Sequence, residues 1–223
     1  KNQYGELVIA FDSRKSWRKD VYPHYKANRK KNRDNSALDW NEIFRLIEIV
    51  KQELIDNFPY KVIEVEGCEG DDVIATLSRW SVKNEMNPKS MFDEPMPVLV
   101  VSSDEDFLQL HTSHIQQASL KTKKLIPLEH SIEFIVHDHI CRGDKGDGVP
   151  NVLSDDLVFI EERRQKSIFD VKVKEWFEKL PEDEAFKKNY QRNKTLVDLS
   201  CIPEEYQQKI IDKYIEYKPQ SRS

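Results

Sequence analysis

PVLVVSSDEDF (97–107) is the stretch on which the fold turns. Pro97 bounds an apolar run, VLVV, and two serines follow it before Asp104 and Asp106. A short β-branched run of this kind reads as a buried strand, most at home in a parallel sheet covered on both faces. Outward from it the same pattern recurs. LVIAFD (7–12) is apolar and ends in Asp12. KVIEV (61–65) is strand-like and leads into CEGDDVIATL, which holds Glu69, Asp71 and Asp72. Helical patterns lie between these runs. Trp40, Ile43, Phe44, Ile47, Val50, Leu54, Ile55 and Phe58 follow the 3.6-residue period over residues 38–58. Gly70 opens a second helix, DDVIATLSRW, and DEDFLQL starts a short third. This alternation predicts an α/β fold with a mostly parallel, twisted sheet flanked by helices.

Farther along, residues 81–95 are a polar, Pro-punctuated loop, residues 114–127 read as a small hairpin, and 131–141 as a helix. GDKGDG (143–148) is a turn by composition. Beyond it no strong strand pattern appears. KEWFEKL, EDEAFKKNYQRNKTLVDL and PEEYQQKIIDKYIEY read as helices, the last opened by Pro203. The expected division is therefore an α/β core over 1–142 and a helical subdomain over 143–223.

Apolar residues make up 38% of the 223 and charged residues 34%, with the apolar ones gathered in compact runs, so a globular core is expected. No run approaches the length of a membrane span, and no secretory signal is visible. Cys68, Cys141 and Cys201 are far apart and form no CxxC pair, which fits buried thiols in a reducing cytoplasm, that of a host cell for a phage-encoded chain. Net charge is −5, an argument against nucleic acid that the charge distribution reverses. Arg14, Lys15, Arg18, Lys19, Lys26, Arg29, Lys30, Lys31 and Arg33 face only Asp20, a local +8. Trp17, Tyr22 and Tyr25 are interleaved with these cations. Cations neutralise phosphates and aromatic rings stack on bases, as single strands require. The plain alternative is a solvated helix face.

Asp12, Glu69, Asp71, Asp72, Asp104, Asp106, Asp144 and Asp147 are the candidate metal ligands. Acids at helix starts serve ordinarily as caps and dipole partners. One cap per helix does not require Glu69 with Asp71, Asp104 with Asp106, or Asp12 at a strand end. Ligands of open α/β sheets bind outside the carboxyl ends of the strands. An all-oxygen cluster there suits Mg²⁺ or Mn²⁺ and two-metal phosphoryl chemistry. GDKGDG lacks the frame of an EF-hand. Its turn offers carboxylates to the same metal pool and backbone N–H groups, at Lys145, Gly146 and Gly148, to phosphate. None of the six histidines has HExxH spacing, and they read as structural or surface residues. Other classes remain open: a phosphorylated receiver-like module, a non-catalytic DNA-binding module, and a toxin-type ribonuclease.

FD (11–12), WRKDVYPHYKANR (17–29), EGDD (69–72), SSDEDF (102–107), GDKGDGVPN (143–151) and LVDLSCIPEEY (196–206) together resemble the structure-specific 5′-nucleases. That family contains flap endonucleases, the 5′-nuclease domains of bacterial DNA polymerases and phage 5′→3′ exonucleases, and the likeness is greatest to the phage ribonucleases H of the T-even type. The resemblance implies a PIN-like nuclease core and two divalent ions. Asp12, Glu69, Asp71 and Asp104 would serve the first ion, and Asp106, Asp144 and Asp147 the second. Lys26 and Arg18 would contact the scissile phosphate as catalytic residues, and Tyr25 would stack on a displaced base. Residues 14–36, with Arg29, Lys30 and Lys31, would form the base of an arch that passes a 5′ single strand. GDKGDGVPN would open a helix–turn–helix-type element gripping duplex phosphates.

The implied activity is a 5′→3′ exonuclease and flap endonuclease with ribonuclease H activity, acting on nicked or flapped DNA and on RNA–DNA hybrids during primer removal. A monomer is expected, with single-stranded-DNA-binding protein and a sliding clamp as partners. Two departures stand out. The family's first strand, with its own metal-binding Asp, is not among these residues. VLSDDLVFIEERRQKS (152–167) replaces the glycine-rich stretch of most members, which leaves K⁺ an open expectation.

Overall fold

The structure, a computed structural model, describes residues 4–220, with the side chains of 30–32 left aside. In chain order the elements are β1 (Val8–Ala10), α1 (Arg18–Val21), α2 (Ala27–Asp34), α3 (Trp40–Asn57), β2 (Lys61–Ile63) and α4 (Gly70–Asn84). Then come β3 (Val98–Val101), a 3₁₀ turn (Glu105–Leu110), β4 (Ile115–Ala118), α5 (Ile132–Arg142), α6 (Asp170–Glu178), α7 (Glu184–Val197) and α8 (Glu204–Glu216). Two units result: residues 1–16, 39–128 and 203–223 form the first, and 17–38 with 129–202 the second.

Among the described residues, the first unit holds all the strands. β1 pairs in parallel with β2, Ile9 opposite Val62, and β3 in parallel with β4, Leu99 opposite Gln116. The expected single sheet is thus two ladders among the described residues, because none of these strands bonds β1 to β3. α4 packs on β1 and β3 alike. The expected hairpin at 114–127 is mostly this parallel strand β4, reduced to one antiparallel bridge, Ala118 to Leu125. Ile115 and Gln117 are the inward positions of β4, and packing them beneath β3 outweighs the local turn signal.

The core of this unit joins Ile63, Val65, Cys68, Val73 and Leu77 to Ile210 and Tyr214 of α8. The last helix therefore belongs with the strands and not with the helical half into which its sequence position put it. Its apolar face needs a partner, and α4 with β2 supplies one. Ile210 is fully buried, so Ile210→Ala should cost about 2–5 kcal/mol through the cavity it leaves. α3 forms as its periodicity predicts, capped by Asp39 on the amides of Asn41 and Glu42. No residue of α3 is buried, however; Ile43, Leu46, Ile47 and Val50 line an open apolar hollow with Phe11.

The second unit is helical, and the basic segment groups with it. The basic segment is not one continuous helix: α1 ends at Val21, residues 22–26 turn, and α2 starts at Ala27. Lys26 sits at φ +57°, a left-handed conformation that interrupts helix. Tyr22, Tyr25, Ile140, Val149, Leu196 and Val197 form one core here, and Cys141, Val152, Val173 and Phe186 another. No helix follows GDKGDGVPN directly; residues 152–162 make turns. Asn151 shapes them, its side chain accepting from Leu153 N and donating to Lys166 O. None of the helices is long and apolar enough to cross a membrane among the described residues.

Candidate functional site

In the first unit, each acidic group follows the carboxyl end of a strand. Asp12 stands two residues past β1, and its Oδ1 accepts from Gly70 N at 2.7 Å. That bond ties the end of β1 to the start of α4. Glu69 caps α4 in a capping box: its side chain accepts from the Asp72 backbone amide, and Asp72 Oδ2 accepts from Glu69 N at 2.8 Å. Asp72 is fully buried, whereas Asp71, one residue earlier, is partly open to solvent. After β3, Asp104 Oδ1 accepts from Asp106 N at 3.0 Å and opens the 3₁₀ turn. Asp12 and Asp104 are exposed, and neither pairs with a cation among the described residues. Within this unit no three of the acids bring carboxylate oxygens within 4.8 Å of one another among the described residues.

In the second unit, Asp144 and Asp147 belong to a turn closed by paired bonds between Asp144 and Val149. Asp147 N donates to Asp144 Oδ1 at 3.0 Å. Gly143 has φ +65°, and a side chain there would run into the Val149 carbonyl. Gly148, at φ +71°, lies so close to His24 O and Asn28 Oδ1 that a Cβ would crowd both. The turn thereby closes on the basic segment. Lys26 N donates to Asp147 O at 2.7 Å. Asp147 Oδ2 accepts from Tyr25 Oη at 2.6 Å and lies 3.5 Å from Lys26 Nζ, while Oδ1 is bound by Arg29. Asn28 and Arg29 also donate to the carbonyls of Lys145 and Gly146.

Several sequence expectations change here. Tyr25 is 3% exposed, so its ring has no open face for a base in this arrangement; its hydroxyl orients Asp147 instead. Arg18 is 2% exposed, lies over Trp17, and donates to Leu196 O at 2.8 Å. Its guanidinium is enclosed away from any phosphate, because α1 packs against α7. The Asp147 and Gly148 amides are used inside the turn, and so are not free for phosphate. Lys145 and Gly146 are exposed, and Arg29 is partly so. Lys30 and Lys31 fall on α2, with side chains outside the described residues.

Sequence reading passed over two histidines and one glutamine. A ring nitrogen of His139 lies within 4.8 Å of an Asp144 oxygen, a neighbourhood that their separation in sequence does not advertise. His111 and Gln117 are both buried in the first unit, beneath the turn that carries Asp104. His137 is structural as expected: its ring nitrogens meet Tyr190 Oη and Val173 O, and burial lowers its pKa below 6.5.

Residues 1–135 match the profile of the 5′–3′ exonuclease N-terminal resolvase-like domain. Ribonuclease H of Enterobacteria phage T4 is 32% identical over 228 residues, covering 96% of this chain and 71% of its own. The chain belongs to the 5′–3′ exonuclease family. As a family member it is a nuclease, a hydrolase of phosphodiesters dependent on divalent metal. The fold agrees. The T5 D15 protein co-crystallised with metal ions superposes with a TM-score of 0.64 at 18% identity, over 95% of this chain and 85% of that one. A T5 D15 flap endonuclease complex with DNA and metal ions gives 0.62 at 18% identity, over 95% and 83%.

The carboxylates suit the divalent ions this family uses. Those of the first unit are all oxygen donors that follow parallel strands, and Asp12 and Asp104 pair with no protein cation among the described residues.

Proposed function

We propose that this 5′-nuclease is a 5′→3′ exonuclease and flap endonuclease with ribonuclease H activity, acting near 5′ ends of nicked or flapped DNA and of RNA–DNA hybrids in primer removal. Mg²⁺ is the proposed physiological ion, with Mn²⁺ able to replace it. The observation that carries this reading is the acids that follow three strands: Asp12 past β1, Glu69, Asp71 and Asp72 at the start of α4 beyond β2, and Asp104 and Asp106 past β3. Divalent ions, when bound, lower the pKa of water and stabilise charge on phosphoryl oxygens.

The chain's own residues have separate tasks. Asp12, Asp71 and Asp104 hold the ions, while Glu69 and Asp72 fix the start of α4. Asp106 adds a further oxygen. Lys26 supplies the cation that meets the reacting phosphodiester. Lys145, Arg29, Lys30 and Lys31 track the backbone of the nucleic acid, and the turn 143–151 at the end of α5 serves as the grip on duplex phosphates.

The test is single-turnover cleavage of a 5′-labelled flap oligonucleotide and of a 5′-labelled RNA–DNA hybrid in Mg²⁺ and in EDTA. Cleavage of both from the 5′ end in Mg²⁺ alone is expected. Tight binding without cleavage would leave a non-catalytic DNA-binding module, and full activity in EDTA would remove the metal mechanism.

A further inference from the structure

We propose that Gln117 is a positioning residue of the nuclease site, holding the backbone turn at 102–104 in the shape that directs Asp104 to a divalent ion. This rests on the metal-nuclease reading above. β4 alternates: Ile115 and Gln117 point inward and Gln116 outward. An inward position of a strand is ordinarily apolar, and Gln117 is fully buried there. A buried amide is costly unless its hydrogen bonds are needed; here both bonds come from Nε2, and Oε1 is buried without a hydrogen-bond partner among the described residues. Gln117 Nε2 donates to Ser102 O at 3.0 Å and to Asp104 O at 2.6 Å. One amide thus clamps two carbonyls where the chain leaves β3.

The ladder shows why a clamp is needed there. Ser102 N still bonds Ala118 O at 3.0 Å, after which the chain turns away toward the 3₁₀ turn. From that point the carbonyls of 102 and 104 are met by a side chain. Ser103 Oγ and Ser119 Oγ, 3.0 Å apart, join the two strand ends beside the clamp. Asp104 is exposed and its Oδ1 already takes Asp106 N. Its remaining oxygen is aimed by the backbone, and Gln117 sets that backbone. Ligand geometry tolerates little error, so loss of the clamp should weaken metal binding before it weakens nucleic-acid binding. His111 stands behind Gln117. It is 8% exposed, and its contact with the Gln117 side chain partly offsets the lowering of its pKa by burial.

The experiment compares wild-type protein with Gln117→Met, similar in shape but unable to donate, and with Ile115→Val, a trim of the same buried strand face. Each is measured for melting temperature, Mn²⁺ affinity by electron paramagnetic resonance, Mg²⁺ half-saturation of flap cleavage, and KM for the flap. Both variants should melt a few degrees lower. Gln117→Met should raise the Mn²⁺ Kd and the Mg²⁺ half-saturation about 10-fold or more, with KM within about twofold and much of the rate recovered at saturating Mg²⁺. Ile115→Val should leave both metal constants unchanged.

Equal metal constants for the two variants would overturn the proposal, as would a shift shared by both in step with stability. If Gln117→Met does not fold, the wild-type side-chain amide resonance of Gln117 decides. It should move during a Mg²⁺ titration with the midpoint of the Asp104 and Asp106 backbone amides, and a stationary resonance would overturn the assignment. A wild-type protein that neither binds Mn²⁺ nor cleaves would instead defeat the nuclease reading itself.

Discussion

Asp104 in the first unit and Asp147 in the second are both carboxylates at turns after apolar elements, and they are held in opposite ways. Asp104 is oriented by a backbone amide, stays exposed, and meets no cation of the protein among the described residues. Asp147 is tied by Tyr25, Lys26 and Arg29 and its side chain is mostly enclosed, at 16% exposure. A carboxylate held by an amide keeps its full charge and invites an external cation. One held by two cations has its charge balanced internally and serves first as a joint between segments. Acids that look alike in sequence thus divide into one kind suited to chemistry and one suited to holding the basic segment against the GDKGDG turn.

The largest effect expected from this difference is at Asp104. Asp104→Asn keeps an oxygen for Asp106 N, so folding should change little, while cleavage should fall by about 10³ as an ion loses a charged ligand. Single-turnover rates beside a thermal melt will show it. A normal rate would place Asp104 with the structural acids. Lys26→Ala should come next, lowering single-turnover cleavage by about two orders of magnitude through loss of a charge near the phosphodiester. Alanine at this left-handed position bears a backbone cost like that of lysine, so the variant isolates the ammonium. Arg29→Ala, which leaves Asp147 its Tyr25 and Lys26 contacts, should weaken binding and its salt dependence with little change in chemistry. Equal, purely affinity-based losses for the two would end the catalytic assignment of Lys26.

At Asp147 the comparison is sharpened through stability. Asp147→Asn removes the charge that Lys26 and Arg29 face and should cost roughly 1–3 kcal/mol, a fall of about 3–10 °C in Tm in metal-free buffer. An unchanged Tm with lost cleavage would move Asp147 to the metal group.

Smaller effects come from the buried imidazoles, one in each unit. Burial lowers the pKa of His111 and of His137 below the ordinary 6.5. Each binds its proton more readily in the unfolded chain. The stability they carry is therefore full above pH 6.5 and declines as pH falls from 6.5 toward the depressed folded values. Melting temperatures taken between about pH 7.5 and 5 should fall on the acid side, and His137→Gln should remove about one proton's share of that slope. The smallest expected response is at Cys141, whose thiol burial pushes up to about 12. It should resist alkylation in native protein near pH 8 and react on unfolding. Rapid native labelling there would show that the second unit opens.

Much of the fold was legible because each local pattern had one dominant physical cause. VLVV bounded by Pro97 became β3, and the periodic run after Asp39 became α3. Where two causes competed, sequence misled. Residues 114–127 carry turn chemistry, yet pairing of β4 with β3 prevailed. Tyr25 among cations reads as a base-stacking ring, yet it is core, because a phenol can bury its ring while its hydroxyl reaches Asp147. Gln117 left no signal, since a glutamine beside another glutamine looks like surface.

By itself the sequence determined the alternation of strands and helices, the acids that close the apolar runs, and the basic aromatic segment. These follow from side-chain period, hydropathy and charge, which act over a few residues. Only the tertiary structure decided that α8 joins the strands, that residues 17–38 belong with the helical unit, that Arg18 is enclosed, and which acids receive an amide and which a cation. Those outcomes depend on which distant surfaces exclude water from one another, and burial sets the value of a charge or hydrogen bond more than residue type does.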